Sequence, residues 1–462
     1  MSLSARTMRK TERDMTDGGI VGHLIRFSIP LIFGNLFQLL YTAVDTWVVG
    51  NYVSDEAFSA VGTLSSVTNL MIGFFMGLSG GAGVVISQFF GSKKYDRVKS
   101  AVHTSAAITL IMCVIFTALG LLMIPLFMKI LDMPPEVETQ AIDYLTIWFA
   151  GFSGLLIYNM GSGNMRAVGD SRRPFIFLII SAVLNIILDL LFVLSFNMGV
   201  KGVALATIIS QGISALLVII SLVTTDSPIK ISLKSIAIDI QIFKRILQIG
   251  IPTGLQMAIT SFSNMFVQKY INHFGTEVMG GWSAYAKIEQ IVVLPMQSVS
   301  IASTTFVGQN LGADQIERAK KGANWAFIIT MISTSVLIAP IVIFADFFVA
   351  IFNSNPELIG YGAMFLRYLT PFYLLCCVNQ IYSGAIRGAG RSAVPMVIML
   401  SSYVVCRQIY LFIISRVCYT IVPTVFCYPT GWLIAAICTV IYYLKVGLKP
   451  NAKKIKATKS ET

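Results

Sequence analysis

The sequence predicts an all-α integral membrane protein with twelve transmembrane helices, in two six-helix bundles related by a pseudo-two-fold axis along the membrane normal. Three observations predict it. The 462 residues are 55% hydrophobic and only 12% charged, where a soluble chain is about a quarter charged, and mean hydropathy is +0.76. Lys and Arg fall in short clusters separated by long apolar runs. Motifs of the first half return in the second, Gln88, Gly91 and Arg97 recurring 221 residues on as Gln309, Gly312 and Arg318. So many apolar residues exceed what a core of this length hides, so most face lipid or line a bundle within it. A barrel would alternate in segments of about ten residues. The same composition excludes a three-domain soluble enzyme, a collagen, a coiled coil and a disordered chain.

Charge clusters and Gly, Pro and Asn turns divide the chain into spans. The first six lie near 24–50, 57–90, 99–128, 137–165, 174–196 and 202–224, and the second six near 246–271, 278–308, 322–352, 358–386, 394–415 and 424–446. The domain organisation follows: an N-terminal segment at 1–23, a bundle at 24–224, a polar linker at 225–244, a second bundle at 245–446 and a basic tail at 447–462. The first nineteen residues lack the short apolar core of a cleaved signal, so the first span is expected to direct insertion.

Basic residues test the count, because one missed span would scramble their alternation. One side receives Arg6, Arg9, Lys10, Arg13 and Arg26, the clusters at Lys93–Lys99, Arg166–Arg173, Lys230–Arg245, Arg318–Lys321 and Arg387–Arg391, and the Lys-rich tail. The other side receives only Lys129, Lys201, Lys269 and Arg416. Twelve spans with both termini in the cytoplasm satisfy this pattern. The net charge of +12 is thereby explained by topology, with no nucleic-acid partner. Seven cysteines without a C-x-x-C pair read as small packing residues.

The repeat extends beyond one motif. Ile29-Pro30 recurs as Ile251-Pro252, and Gly163, Arg166, Gly169, Ser171 and Pro174 recur as Gly384, Arg387, Gly390, Ser392 and Pro395. Six is an even number of spans, so the halves point the same way and are parallel repeats.

Ionisable residues inside spans are costly and mark function where they face the bundle interior. Asp45, Asp189 and Glu289 are such acids, with Lys287, Arg367 and Arg407 as internal cations for charge balance. At 1.5 Å per residue, Asp45, Asp189 and Thr207 lie roughly 7–11 Å from the outer ends of their spans. Asn185 and Asp189, four apart, share a helix face. The set offers two carboxylates, an amide and a hydroxyl, hard oxygens that suit Na+. Alternatively, two carboxylates in low dielectric share one proton. An interfacial Asp45 and a helix-capping Asp189 are the structural alternative.

Glu289, about 17 Å into its span, reads either as a substrate or coupling acid or as the partner of Arg407. Pro30 reads as a hinge or a packing kink. Gln38, Tyr41, Met71, Tyr158, Met160 and Gln256 are expected to line a substrate cavity. The repeat offset replaces Asn185 and Asp189 by Cys406 and Tyr410, so the ion site is expected in the first half alone. Soluble catalysis lacks support: no H-E-x-x-H and no Gly-Lys dipeptide occur, which excludes a P-loop. The Ser79-Gly80-Gly81 run with Gly83 reads as a close-packing patch.

On these residues the sequence resembles the multidrug and toxic compound extrusion (MATE) family, in its bacterial MepA-type branch. The resemblance runs from Ile25 to about Leu444. It rests on Ile29-Pro30 with Asp45, the Ser87-Gln88-x-x-Gly91 and Gly308-Gln309-x-x-Gly312 pair, Arg166-x-x-Gly169-Asp170 with Arg387-x-x-Gly390-Arg391, Asn185-x-x-x-Asp189, and Thr207. It implies export of organic, often cationic, drugs against inward H+ or Na+, without an organic cofactor or an ATPase subunit, by a monomer in the bacterial plasma membrane. It also implies that the family's first-half cation site falls on Asp45, Asn185, Asp189 and Thr207. A flippase for a lipid-linked saccharide, from the same superfamily, is the competing expectation.

Overall fold

The computed structural model describes residues 13–131 and 133–448. The basic residues expected at Arg6, Arg9 and Lys10 and in the tail from Lys449 onward lie outside them. Twelve long helical segments follow one another: α1 (Ile20–Tyr52), α2 (Asp55–Gly91), α3 (Tyr95–Leu131), α4 (Pro135–Ala167), α5 (Arg172–Ser195) and α6 (Gly199–Thr224), then α7 (Ile240–Asn272), α8 (Thr276–Gly312), α9 (Ile316–Ile343), α10 (Pro356–Gly388), α11 (Ala393–Val417) and α12 (Ile421–Val446). Eleven of these are long and apolar enough to cross a membrane. The twelfth, α7, is an unbroken 33-residue helix carrying Gln241, Lys244, Arg245, Gln248 and Gln256 among its apolar residues. A 37-residue helix such as α2 is about 55 Å long, against a hydrocarbon core of about 30 Å, so its polar ends extend past the bilayer interior.

Local chemistry sets the helix ends. Ser54 Oγ accepts the Ala57 N–H at 3.2 Å and caps α2. Asp170 Oδ1 accepts the amides of Arg172 and Arg173 at 3.0 and 3.1 Å, starting α5. Two π-helical turns interrupt the regular ladder, Leu191–Ser195 at the end of α5 and Leu400–Cys406 within α11. The first begins two residues after Asp189 and the second ends immediately before Arg407, settings in which such turns often mark functional positions.

The internal repeat is present in the backbone. Lys93 and Asp314, 221 positions apart, both turn their hairpins at φ 58°, and Gly169 and Gly390 both adopt the left-handed conformation at φ 83° and 79°. Ser79 Oγ donates to the Asn159 carbonyl at 2.7 Å, and Ser300 Oγ to the Gln380 carbonyl at 2.8 Å.

The described chain forms two compact units. The first contains residues 13–14 and 30–254, the second residues 15–29 and 255–448. This departs from the expected division at the 225–244 linker, for a physical reason in each case. Any Cβ on Gly81 would come within 2.6 Å of the Gly250 nitrogen, and one on Gly77 would strike Gly254. The opening of α7 therefore packs backbone to backbone on α2, in the first unit. Of the expected close-packing patch Gly81 serves this contact, whereas Ser79 and Gly83 face α4 and Gly80 has nothing within 4 Å. Residues 15–18 are bonded to α8 and α9 in the second unit. The unit boundary accordingly runs through α1 at Pro30 and through α7 two residues past Pro252.

The core of the first unit is built from α2, α3 and α4, where Phe75 packs edge-on against Phe116 and Phe152 at 4.5 and 5.3 Å and Trp148 closes on Phe152 at 4.8 Å. The second unit buries Trp282, Tyr285, Phe365, Tyr373 and Trp432.

Candidate ion and substrate site

In the first unit α1 presents Gln38, Tyr41 and Asp45 at successive turns of one face, and α5 presents Asn185 and Asp189. The α5–α6 contact runs from Ser181, whose hydroxyl donates to the Ser210 carbonyl at 2.8 Å, to Phe192 beside Gly202. In such an antiparallel pair Asn185, one turn outward from Ser181, falls level with Thr207, one turn outward from Ser210. The Thr207 hydroxyl donates to the Val203 carbonyl at 3.0 Å, which leaves its lone pairs available.

Asp45 and Asp189 are hydrogen-bond neighbours once a proton lies between them. As two carboxylates they are acceptors only and cannot satisfy each other. The consequence is a concentration of buried polar atoms without protein partners among the described residues: Asp45 Oδ1, both side-chain polar atoms of Asn185 and both carboxylate oxygens of Asp189. Asn185 and Asp189 are buried to 1% and 0% exposure. Buried polar groups left unpaired are costly, and a proton or a small cation satisfies this set. Among the described residues no group of three or more His, Cys, Asp or Glu suits a metal ion.

Two tyrosines complete the surroundings. Tyr41 lies against Asp45, Gln38, Thr42 and Tyr158. Tyr144 of α4 packs on the apolar cluster of Val48, Val49 and Val193, within electrostatic reach of Asp45, Tyr41 and Asp189, and sequence reasoning missed it. A tyrosine in an apolar run carries no mark of its own; the only nearby signal is Asp143, which pairs with Lys201 at 3.1 Å.

The other expected cavity residues divide. Met160 and Tyr158 are buried in the core of the first unit with Met71 packed against it, and the Tyr158 hydroxyl donates to the Pro174 carbonyl at 3.1 Å. These three are packing residues in this structure. Their helices bury the face on which they stand, and a buried Met or Tyr fills space first. Gln256, 5% exposed, is bonded through Nε2 to Met399 in the second unit, with its Oε1 unpartnered.

The second unit holds a different polar centre. Glu289 of α8 lies beside Tyr373 and within electrostatic reach of Arg407. The Tyr373 and Tyr285 hydroxyls meet at 2.6 Å. Arg407, 2% exposed, donates to Ser263 Oγ at 2.7 Å and lies 4.9 Å over the Tyr428 ring. Asn379 donates to the Tyr403 hydroxyl and accepts from Thr439, both at 2.9 Å.

Two expected internal cations are corrected. Lys287 is exposed and rests over Phe352 at 5.4 Å, because Ala284, Tyr285, Ile288 and Val292 form the buried face of α8. Arg367 is exposed and pairs with Asp346, while Phe365, Leu366 and Leu369 turn inward. Arg407 is the one of the three inside the bundle. Pro30 sits within an unbroken α1, at the residue where the helix passes from the second unit to the first.

Comparison with known proteins bears on this arrangement. The MatE family model matches twice, over residues 30–191 and 252–413, so the repeat seen in the backbone is the family's own unit. "Probable multidrug resistance protein YpnP" of Bacillus subtilis is 29% identical over 399 residues, covering 85% of this chain and 88% of that protein. "Multidrug export protein MepA" of Staphylococcus aureus is 22% identical, covering 83% and 85%. A solved structure described as the outward-facing conformation of a multidrug resistance MATE family transporter superposes with a TM-score of 0.89 at 23% identity, covering 95% of this chain and 97% of its own. With its twelve-helix fold and its two MatE repeats, the chain belongs to the MatE family of multidrug efflux transporters and is a multi-pass membrane transporter, not an enzyme.

Proposed function

We propose that the protein exports organic, often cationic, compounds in exchange for H+ or Na+ by alternating access, with Asp45, Asn185, Asp189 and Thr207 as the coupling site. The observation that carries this reading is the cluster of five unpartnered buried polar atoms on Asp45, Asn185 and Asp189. An ion arriving there neutralises the carboxylate pair and supplies the missing partner. Once Asp45 loses its charge it loses its attraction to surrounding donors and cations, so α1 beyond Pro30 repacks. A cationic drug and the coupling ion then favour different states of the same helices, and each shifts the equilibrium by its differential affinity.

The other elements of the reading follow from this exchange. Energy comes from the ion gradient, so neither an organic cofactor nor an ATPase subunit is required. The protein acts as a monomer in the plasma membrane, with both termini on the cytoplasmic side, where the Lys and Arg clusters concentrate. Gln38 and Tyr41, on the face of α1 that carries Asp45, meet the substrate in the first unit; Gln256 and Glu289 are the substrate candidates of the second.

Ethidium accumulation in cells expressing the chain, with and without a proton or sodium ionophore, tests the proposal. Accumulation that rises with one ionophore identifies the ion, and accumulation indifferent to both overturns the exchange. One observation favours a second reading: the buried Arg407, with its Nε unpartnered, suits an anionic amphiphile such as a lipid-linked saccharide. Transfer of such a lipid without ethidium export would establish it.

A further inference from the structure

The motif that recurs after 221 residues lies on hairpins and takes no part in the coupling site, yet in both units it holds the same kind of segment. In the second unit the chain leading into α1 is bonded to α8 and α9. The Met15 N–H donates to Gln309 Oε1 at 2.9 Å, and Asn310 Nδ2 donates to the Met15 carbonyl at 3.2 Å. Arg318 Nη2 donates to the carbonyls of Met15, Asp17 and Gly18 at 3.2, 3.0 and 2.8 Å. Met15 is fully buried and Thr16 is 8% exposed.

In the first unit the chain leading into α7 is bonded to α2 and α3 through a different set of contacts. Arg97 Nη1 pairs with Asp239 Oδ2 at 3.3 Å, and Thr104 Oγ1 accepts the Asp239 N–H at 3.0 Å. His103 Nε2 accepts the Ser232 N–H at 3.1 Å, and Gln88 Oε1 accepts from Arg245. Asp17 and Asp239 stand 222 residues apart, as do Pro30 and Pro252. The two lead-ins therefore stand at equivalent places in the repeat; Arg318 holds one by its backbone carbonyls, Arg97 holds the other by the Asp239 carboxylate, and Gln88 meets Arg245 in the second turn of α7. A guanidinium fork suits three converging carbonyls better than an ammonium does.

We propose that this repeated Gln and Arg pair is a clasp that fixes the starts of α1 and α7, the two helices that pass from one unit into the other, so that each bends at its proline instead of sliding. Arg318 and Arg97 are positioning residues, acting through the helix ends they hold. A released start would let the bend relax along the helix, and ion binding at Asp45 would no longer drive a whole-unit change. Transport would slow without any drug contact being lost.

Hydrogen exchange followed by mass spectrometry, on the purified full-length protein in detergent, reads the clasp independently of export. In Arg318→Gln the peptide spanning Met15 and the first turn of α1 should exchange about tenfold faster than in wild type. Ethidium efflux by the same variant should show a severalfold lower maximal rate at unchanged KM, partly recovered in Arg318→Lys. If Arg318→Gln fails to accumulate in the membrane, Asn310→Leu removes a single donor to Met15, and about threefold faster exchange is expected there. Unchanged exchange in either variant overturns the proposal. So does faster exchange with an unaltered maximal rate, or a change confined to KM. Absence of export by the wild type would defeat the exporter reading while leaving the exchange comparison intact.

Discussion

The two units share a backbone plan and differ in chemistry at its centre. In the first, Asp45 and Asp189 face each other with acceptors and no donors, and Asn185 stands beside them unbonded. In the second, the π-helical turn at Leu400–Cys406 shifts the register by one residue, so Arg407 and Leu411, not the Cys406 and Tyr410 expected from the 221-residue offset, stand on the buried face that carries Asn185 and Asp189 in the first, and the Tyr410 hydroxyl donates to the Pro423 carbonyl at 2.9 Å. The charged groups of that unit have neighbours instead, Tyr373 and Arg407 for Glu289 and Ser263 for Arg407, whose Nε alone is left unpartnered. A duplicated fold thus keeps hairpins, glycine contacts and helix starts in both copies, while among the described residues the unpartnered buried carboxylate oxygens are those of the first copy. Packing and turn geometry constrain both copies, whereas the polar centre of each is free to differ.

The strongest way to break this comparison is to remove charge from the first centre. Asp45→Asn and Asp189→Asn should each lower ion-driven ethidium efflux by about a hundredfold, the factor that corresponds to nearly 3 kcal/mol of lost interaction with a bound charge. Both variants should still insert, which membrane immunoblotting checks. Wild-type efflux from either would remove the coupling role from the first unit.

Arg407→Met in the second centre should act on stability first. It leaves Glu289 without its balancing charge, and losses on the order of 3 kcal/mol follow when a buried charge loses its partner. The Glu289→Gln, Arg407→Met double variant should recover most of that loss in thermal unfolding of the detergent-solubilised protein. A double variant worse than the single would mean that the two groups are not compensating each other.

Asn185→Ala should weaken dependence on the coupling ion by about tenfold, whereas Tyr410→Phe should leave it unchanged. The reverse ranking, measured as the ion concentration giving half-maximal efflux, would move the site to the second unit. Gly81→Ala forces a methyl onto the Gly250 backbone and should cost about 1–3 kcal/mol, seen as a lower Tm. The smallest effect belongs to the two exposed cations. Lys287→Gln and Arg367→Gln should change stability by less than about 1 kcal/mol and leave efflux unaltered.

Much of this was legible in the sequence, because a membrane imposes strong patterns. Alternating Lys and Arg clusters gave twelve segments, and the Gln88 and Gln309 motifs gave the repeat that Lys93 and Asp314 express as identical turns. Asn185 and Asp189 shared a face by spacing alone. The unit boundaries at Pro30 and Gly254 were not legible, since they depend on backbone contacts between glycines far apart in the chain. Nor was the direction of Lys287 and Arg367. In a bilayer both faces of a helix are apolar, so hydrophobic periodicity no longer separates inside from outside. Tyr144 was hidden for the same reason, one aromatic among many until α4 is set beside α1 and α5.

The central claim is that one ion and one drug exchange through the carboxylate pair of the first unit. The affinity of a fluorescent cationic dye for the purified protein, measured across pH and across Na+ concentration in wild type and Asp45→Asn, tests it most directly. Protonation or Na+ binding neutralises the pair that favours a cation, so wild-type affinity should fall as pH is lowered or as Na+ is added. For a one-proton exchange the fall should be at most about tenfold per pH unit. In Asp45→Asn the affinity should be flat. A wild type whose dye affinity ignores both pH and Na+, or an Asp45→Asn variant that keeps the full dependence, would contradict the account.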